Sequence, residues 1–479
     1  MSTNDGSLTV RLATNTLVQA VGTVLTSLVG FFTFVAITRG LGPEAFGDFT
    51  AATVFLVIPV VLADVGLSAA LLREISADPT RTEPAMRAAL PLRALIAVGA
   101  VGVSVGVALV APFNEQMKDA ILIASFGAVL TIMTFALQPV LQAELKMHWA
   151  VGANLVGRLV TLGVTLAVLG AGLGFKSVVA AQVIGLAVTF VLHVAAVAAI
   201  VPLWPVLDTT YWRRLVGGSL ALGFAIALSQ IFFRVDTVLL ALLRSAEEVG
   251  YYGAAYRFVE LAVLIPAAAG ASVFPPLMRF LAAQDPRSYG LVQKSFDVLL
   301  AAGIPLTIVM LAYPDELITL AAGPEFGPGA DALRLLAPYA LFAFVNGLLW
   351  RVVMATQRDR LLLGTAIFVL VANIGLNLIF VPIWGFEAAA AIAVVTEAAV
   401  GVPILFALHG EGRLPKLGYA PAILAATAAM SIAVLLLRDH ALAGTLVGGT
   451  AYGATLMLFP GTVRNLVLGD LLPAVLRRG

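Results

Sequence analysis

The chain has 479 residues, 28 Lys and Arg against 27 Asp and Glu, so that 11% of it is charged and 61% apolar at a mean hydropathy of +1.01. Soluble globular proteins carry about 25% charged residues; a water-exposed surface at this size, a disordered chain and a nucleic-acid-binding chain are all excluded. The composition implies an all-α polytopic membrane protein, and the absence of Cys excludes disulfides, thiolate metal sites and thiol nucleophiles.

Charge-poor runs of about 20 residues are long enough to cross a bilayer. They predict fourteen spans, near 12–38, 46–72, 88–111, 119–142, 149–173, 177–200, 214–243, 248–278, 290–313, 332–356, 360–383, 386–408, 417–437 and 441–460. The first is too long, and its flank RGLGPEAFG too unlike a small-residue cleavage site, to be a removed signal peptide. Positive charge in short loops marks the cytoplasmic side. With the N-terminus inside, 19 basic residues fall on that face, Arg11, Arg93, Arg351, Arg413, Arg477 and Arg478 among them, against five (Arg39, Lys118, Lys176, Arg244 and Arg438) on the other. Both termini are therefore expected in the cytoplasm. Trp149, Trp204, Trp212, Trp350 and Trp384 all fall at predicted span ends, where indole prefers the headgroup layer.

The chain contains an internal duplication. At a shift of 203, FGDFTAA (46–52) meets VGYYGAA (249–255), and at 211 GFKSVVAAQVIGLAV (174–188) meets GFEAAAAIAVVTEAA (385–399). Two six-helix lobes joined by the WPVLDTTYWRR loop follow, an N-lobe at 1–203 and a C-lobe at 204–409, with two further helices and a tail at 410–479. An even number of spans per repeat makes the repeats parallel, with a transport site expected between them.

There is no GxxxxGK[ST], HExxH or CxxC string, and no loop large enough for a catalytic or nucleotide-binding domain. No enzyme activity, metal or cofactor is expected. Instead, polar residues recur at helical spacing. Asn154, Arg158, Thr161 and Thr165 lie within about 60° of one another on the fifth span. Ser219, Gly223, Gln230, Arg234 and Thr237 mark the seventh, and Thr16, Gln19, Thr23, Ser27 and Gly30 the first. Asn373 and Asn377 of the eleventh fall on Thr161 and Thr165 at a shift of 212. These stripes read either as walls of one polar cavity or as small-residue helix packing.

An Arg at the bilayer centre costs about 2.5–3.5 kcal/mol on insertion scales and normally faces water or a partner. Arg158 lies about 14 Å from the inner end of its span with no acid in that helix, and Arg234 and Arg257 are similarly deep. Glu260 stands three residues from Arg257 and can pair with it. The buried acids Asp64 and Glu397 can pair an Arg or carry a proton or cation, pairing being favoured for Asp64; His193 is read as packing. Deep guanidinium groups among neutral hydroxyls and amides suit phosphate oxygens and sugar hydroxyls. Substrate contact is accordingly expected from Arg158, Arg234, Arg257, Asn154, Gln230, Asn373 and Asn377, and ion coupling or charge pairing from Glu397, Asp64 and Glu260.

RGLGPEAFGDF (39–49) with LADVGLSAALLREIS (62–76), RVDTVLLALLRSAEEVGYYGAAYRFVEL (234–261) with FPPLMR (274–279), and NIGLNLIFVPIWGFEAAAAIA (373–393) resemble the marked segments of the polysaccharide-transporter, or Wzx-type flippase, family of the multidrug/oligosaccharidyl-lipid/polysaccharide exporter superfamily. The resemblance implies a two-lobed, alternating-access flippase of polyprenyl-diphosphate-linked oligosaccharides in the cytoplasmic membrane, with membrane lipids and glycosyltransferases or a polymerase of the same pathway as partners. A peptidoglycan-precursor flippase or multidrug exporter of the superfamily, and a membrane glycosyltransferase or polymerase, are the alternatives.

Overall fold

The computed structural model describes residues 3–356, 358–410, 415–416, 419–459 and 462–465, with backbone alone for 3–17, 20, 220–222, 225, 226, 229, 271, 272, 275, 282, 359, 462 and 463. Arg413, Arg477 and Arg478 of the charge count lie outside the described residues, as do the side chains of Arg11 and Thr16. The described chain is helical: α1 (Thr3–Asp64), α2 (Leu67–Ala77), α3 (Thr82–Val110), α4 (Glu115–Ala143), α5 (Met147–Gly170), α6 (Phe175–Ala198), α7 (Thr209–Leu243), α8 (Ala246–Ala282), α9 (Arg287–Ala312), α10 (Pro314–Ala321), α11 (Gly329–Ala355), α12 (Asp359–Gly410), α13 (Ala420–Leu436), α14 (Ala441–Leu458) and α15 (Thr462–Asn465). Among the described residues ten runs are long and apolar enough to cross a bilayer, Val21–Ala77 and Arg360–Gly410 being the longest.

Two expected interhelix loops reduce to single glycines. Gly42 (φ 74°) turns α1 between the first two spans, and Gly385 (φ 60°) turns α12 between the eleventh and twelfth. Both occupy the left-handed region that a side chain disfavours. The second expected span, 46–72, is not continuous. It breaks at Val65 (φ 28°) and Gly66 (φ 72°), separating α1 from α2. A β-branched residue at positive φ is strained by about 1–3 kcal/mol, so neighbouring contacts must hold the break in place. The expected outer loop near 313–332 contains the short helix α10.

The chain divides into two compact units, 1–250 and 251–479. In the first, Leu67, Leu71 and Ile75 of α2, Met86, Ala89 and Leu92 of α3, Leu137 and Leu141 of α4 and Leu215 of α7 form one apolar core. Helix α7 joins this unit by that packing, so the division falls at Gly250 and not at the 203/204 boundary set by the repeat. In the second, Met430 and Val434 of α13 and Tyr452 and Leu456 of α14 pack with Leu300, Ile304 and Ile308 of α9. Outward faces remain apolar, as at Val103 (70% exposed) and Leu436 (78%), which suits a lipid solvent.

Within the first unit the duplicated turns touch one another. A Cβ on Gly47 would strike the Ala246 carbonyl, and one on Gly250 would strike the Pro43 carbonyl. At the repeat shift Pro43 corresponds to Ala246 and Gly47 to Gly250, so the two contacts are reciprocal.

Candidate functional site

Helix α5 carries Arg158, one of the three deep arginines selected from the sequence. Val151 meets Gly22 and Leu169 meets Gly40, so α1 closes on α5 at both places. Arg158 lies on the same line of the helix, within about 20° of each, and yet is exposed. Asn154, one turn away, is half-buried. The rest of this stripe turns elsewhere: Thr161 and Thr165 are 3% and 0% exposed. The Thr161 hydroxyl sits on Gly185 of α6, and the Thr189 hydroxyl reciprocally on Gly157 of α5. Two of the four stripe residues are thus helix packing, the small-residue alternative. His193 continues the packed seam, fully buried with Nδ1 2.9 Å from the Thr189 carbonyl.

On α7, Gln230 is exposed and Arg234, one turn on, is half-buried, whereas Ser219, Asp236 and Thr237 are buried. Ser219 and Gly223 lie directly against the α1–α2 break. A Cβ on Gly223 would overlap the Val65 carbonyl, and Gly66 approaches the Ser219 carbonyl. Asp64, the last residue of α1, accepts Ser68 Oγ at 2.6 Å and pairs with Arg93 Nη1 at 2.6 Å. Arg93 Nη2 donates to Ser68 Oγ, whose single hydroxyl hydrogen goes to Asp64, with the Phe135 carbonyl 3.1 Å from the same oxygen. Arg93, counted from sequence with the basic residues of the cytoplasmic face, is 1% exposed inside α3. Arg93 falls inside the expected span 88–111, and α3 begins earlier still, at Thr82, so its charge is held among the helices.

At the cytoplasm-facing end assigned from sequence, the loop after α6 and the first turns of α7 are strapped to α2 and α3. Glu74 accepts the Tyr211 hydroxyl at 3.1 Å and Arg214 at 3.0 Å, Trp212 Nε1 donates to the Ala88 carbonyl at 2.8 Å, and Arg87 Nε donates to the Trp204 carbonyl at 3.1 Å. Burial, reinforced by the Glu74 charge, pushes the Tyr211 hydroxyl well above the ordinary tyrosine range. It therefore remains a donor.

In the second unit, Arg257 and Glu260 form the ion pair allowed by their spacing, at 2.7 Å and both partly exposed. Asn373 and Asn377 are fully buried: Asn373 Nδ2 donates to Thr396 Oγ1 at 3.2 Å, and Asn377 Nδ2 to the Asn373 carbonyl at 2.9 Å. Asn373 thereby ties the two limbs of α12 together, and Asn377 bonds Asn373 from one turn along the same limb. Glu397 is 4% exposed and accepts Asn346 Nδ2 at 2.9 Å. A further half-buried guanidinium, Arg351, donates to the Gly347 carbonyl at 2.7 Å and lies flat on Gly270 of α8. Sequence reasoning passed over Ser68, Arg93, Asn346 and Arg351. A charge five residues from the end of an expected span counts with that face, and a lone Ser or Asn gives no signal until its partner is known. Among the described residues no cluster of three potential metal ligands occurs.

The chain matches the family described as Polysaccharide biosynthesis protein over residues 12–281, and the MatE family over 221–379. It is 21% identical over 371 residues to the probable low-salt glycan biosynthesis flippase Agl15 of Haloferax volcanii, covering 74% of this chain and 75% of that one. Its fold is similar to that of the lipid II flippase MurJ in an inward closed conformation, with a TM-score of 0.78 and 16% identity over 93% of this chain and 99% of that one. It is also similar to an inward-facing multidrug resistance MATE transporter, with a TM-score of 0.63 and 16% identity over 81% of this chain and 95% of that one. The chain belongs to the polysaccharide biosynthesis protein family of the multidrug/oligosaccharidyl-lipid/polysaccharide exporter superfamily, and is a multi-pass membrane transporter of the flippase type.

Proposed function

We propose that this protein translocates a polyprenyl-diphosphate-linked oligosaccharide across the cytoplasmic membrane by alternating access, with both termini in the cytoplasm. The single observation that carries the reading is Arg158, a guanidinium midway along a spanning helix that stays exposed although α1 closes on that same helix line on either side of it. A cation so placed suits the diphosphate oxygens of an amphiphile, which Arg engages through paired, charge-assisted hydrogen bonds. The exposed Gln230 and the half-buried Arg234 and Asn154 are the accompanying contacts for phosphate and sugar hydroxyls. Arg257 serves either the substrate or its pair with Glu260; Asn373 and Asn377 act through the helix geometry they fix. A glycan flippase relative that spans most of both chains supports the substrate class. The likeness to a lipid II flippase supports a second reading, a peptidoglycan-precursor lipid, which shares the diphosphate. Glycosyltransferases or a polymerase acting on the same lipid are the protein partners this function would place beside it.

The test is to delete the protein and identify which lipid-linked glycan accumulates on the cytoplasmic leaflet, then to complement with Arg158 variants. Arg158→Ala is expected to insert and melt near wild type while abolishing turnover, and Arg158→Lys to retain part of it, since charge survives without the planar fork. Full turnover in Arg158→Ala would remove this residue from the substrate path. No accumulating lipid in the deletion strain would remove the substrate class.

A further inference from the structure

The interior of the second unit holds a carboxyl group that the substrate reading does not use. Glu397, on the second limb of α12, is 4% exposed, and its Oε1 lies 2.9 Å from Asn346 Nδ2. The same Nδ2 donates to the Glu397 backbone carbonyl at 2.7 Å. A carbonyl oxygen only accepts, so this contact fixes which end of the Asn346 amide faces Glu397. The other end, Oδ1, rests on Gly401, where a Cβ would stand 2.8 Å away. The Tyr339 hydroxyl, two turns earlier on α11, bonds the same carboxyl.

The charged groups nearby are engaged elsewhere. On α11, Arg334 pairs with Asp331 at 2.7 Å and with Asp315 at 3.3 Å, and Arg351 is bonded to the Gly347 carbonyl. From α8, Tyr256 packs its ring against Tyr339 at 6.2 Å, and Arg257 pairs with Glu260. Among the described residues no cation lies within ion-pair distance of Glu397. An ionised carboxylate would therefore sit inside spanning helices with two neutral donors and no counter-charge, an expensive arrangement. A carboxylic acid meets the same partners without that cost. Its carbonyl oxygen accepts Asn346 Nδ2, and its O–H donates to the Tyr339 oxygen, which both donates and accepts. A metal ion fits poorly, because Asn346 turns N–H groups and not its oxygen toward the carboxyl.

We propose that Glu397 is a reversible proton-binding site of the transporter, held by Asn346 and Tyr339. The proposal requires only that the protein is a transporter and is independent of which lipid it moves.

Infrared spectra of the full-length protein in lipid vesicles, titrated between about pH 5 and pH 9, test it without any substrate. The wild type is expected to show a protonated-carboxyl band that fades reversibly as pH rises and is missing from Glu397→Gln. Tyr339→Phe, which removes one hydroxyl from a tyrosine that otherwise packs by its ring, is expected to keep the band but move its frequency and midpoint. Sodium added at constant pH should leave it unchanged. A titration identical in wild type and Glu397→Gln would overturn the proposal, as would displacement of the band by sodium, which would make this a metal-cation site. A band unmoved in Tyr339→Phe would overturn the assignment of its partners.

Discussion

Arg93 shows how a single residue's environment inverts its sequence reading. Its side chain is 1% exposed, and both terminal nitrogens face the α1–α2 break, one toward Asp64 and one toward Ser68. A buried pair contributes little compared with an apolar replacement, but breaking it strands a charge. Arg93→Met should therefore lower stability by about 3–5 kcal/mol, while adding Asp64→Leu should recover most of the loss. Thermal melting of the purified variants measures both, and a double variant no more stable than Arg93→Met would show that the pair is not what holds the break. Asp64 was legible as a pairing acid. Its partner was not, because pairing depends on how α2, α3 and α4 meet, and sequence spacing reports only neighbours along one helix.

The break between α1 and α2 is the element whose shape depends most on its surroundings. Val65 and Gly66 sit at positive φ, and α7 fits against them only because residue 223 has no side chain. Gly223→Ala would press a methyl into the Val65 carbonyl, backbone that cannot yield as a side chain does. A loss at or above the usual 1–3 kcal/mol of overpacking is expected. Gly217 and Gly218, on the same helix with nothing within 4 Å of an added Cβ, provide the control: Ala there should be neutral or stabilising by up to about 1 kcal/mol through helix propensity. Equal effects at Gly218 and Gly223 in a melting series would refute the close approach. A hydropathy reading sees 46–72 as one span because Val and Gly cost little hydropathy. The same blindness to partners left the α5 stripe undivided: Asn154, Arg158, Thr161 and Thr165 share a phase, but α6 covers the two threonines and leaves Arg158 exposed.

For the whole molecule the strongest prediction is orientation. The basic excess predicts that the 73–93 segment is cytoplasmic, and the absence of Cys makes single-cysteine labelling clean. Thr80→Cys, in the exposed turn after α2, should resist an impermeant thiol reagent in intact cells and react once the membrane is opened. Labelling from outside would reverse the topology and with it the cytoplasmic assignment of the Glu74, Tyr211 and Arg214 strap.

Membrane residence, an all-helical fold, the approximate positions of the spans and the family were all decided by the sequence alone. Each depends on a property summed over many residues, whether hydropathy across a bilayer's thickness or motif strings in chain order, and such sums are insensitive to how helices are arranged. The tertiary structure alone decided which polar groups face open space and which face a neighbour. It buried Arg93 against Asp64, closed Thr161 onto Gly185, joined Asn373 to Thr396, and set Asn346 beside Glu397. In lipid there is no solvent-facing polar side to distinguish a cavity wall from a packing seam, so both are built from the same Gly, Ser, Thr and Asn. Only the position of the neighbouring helix separates them.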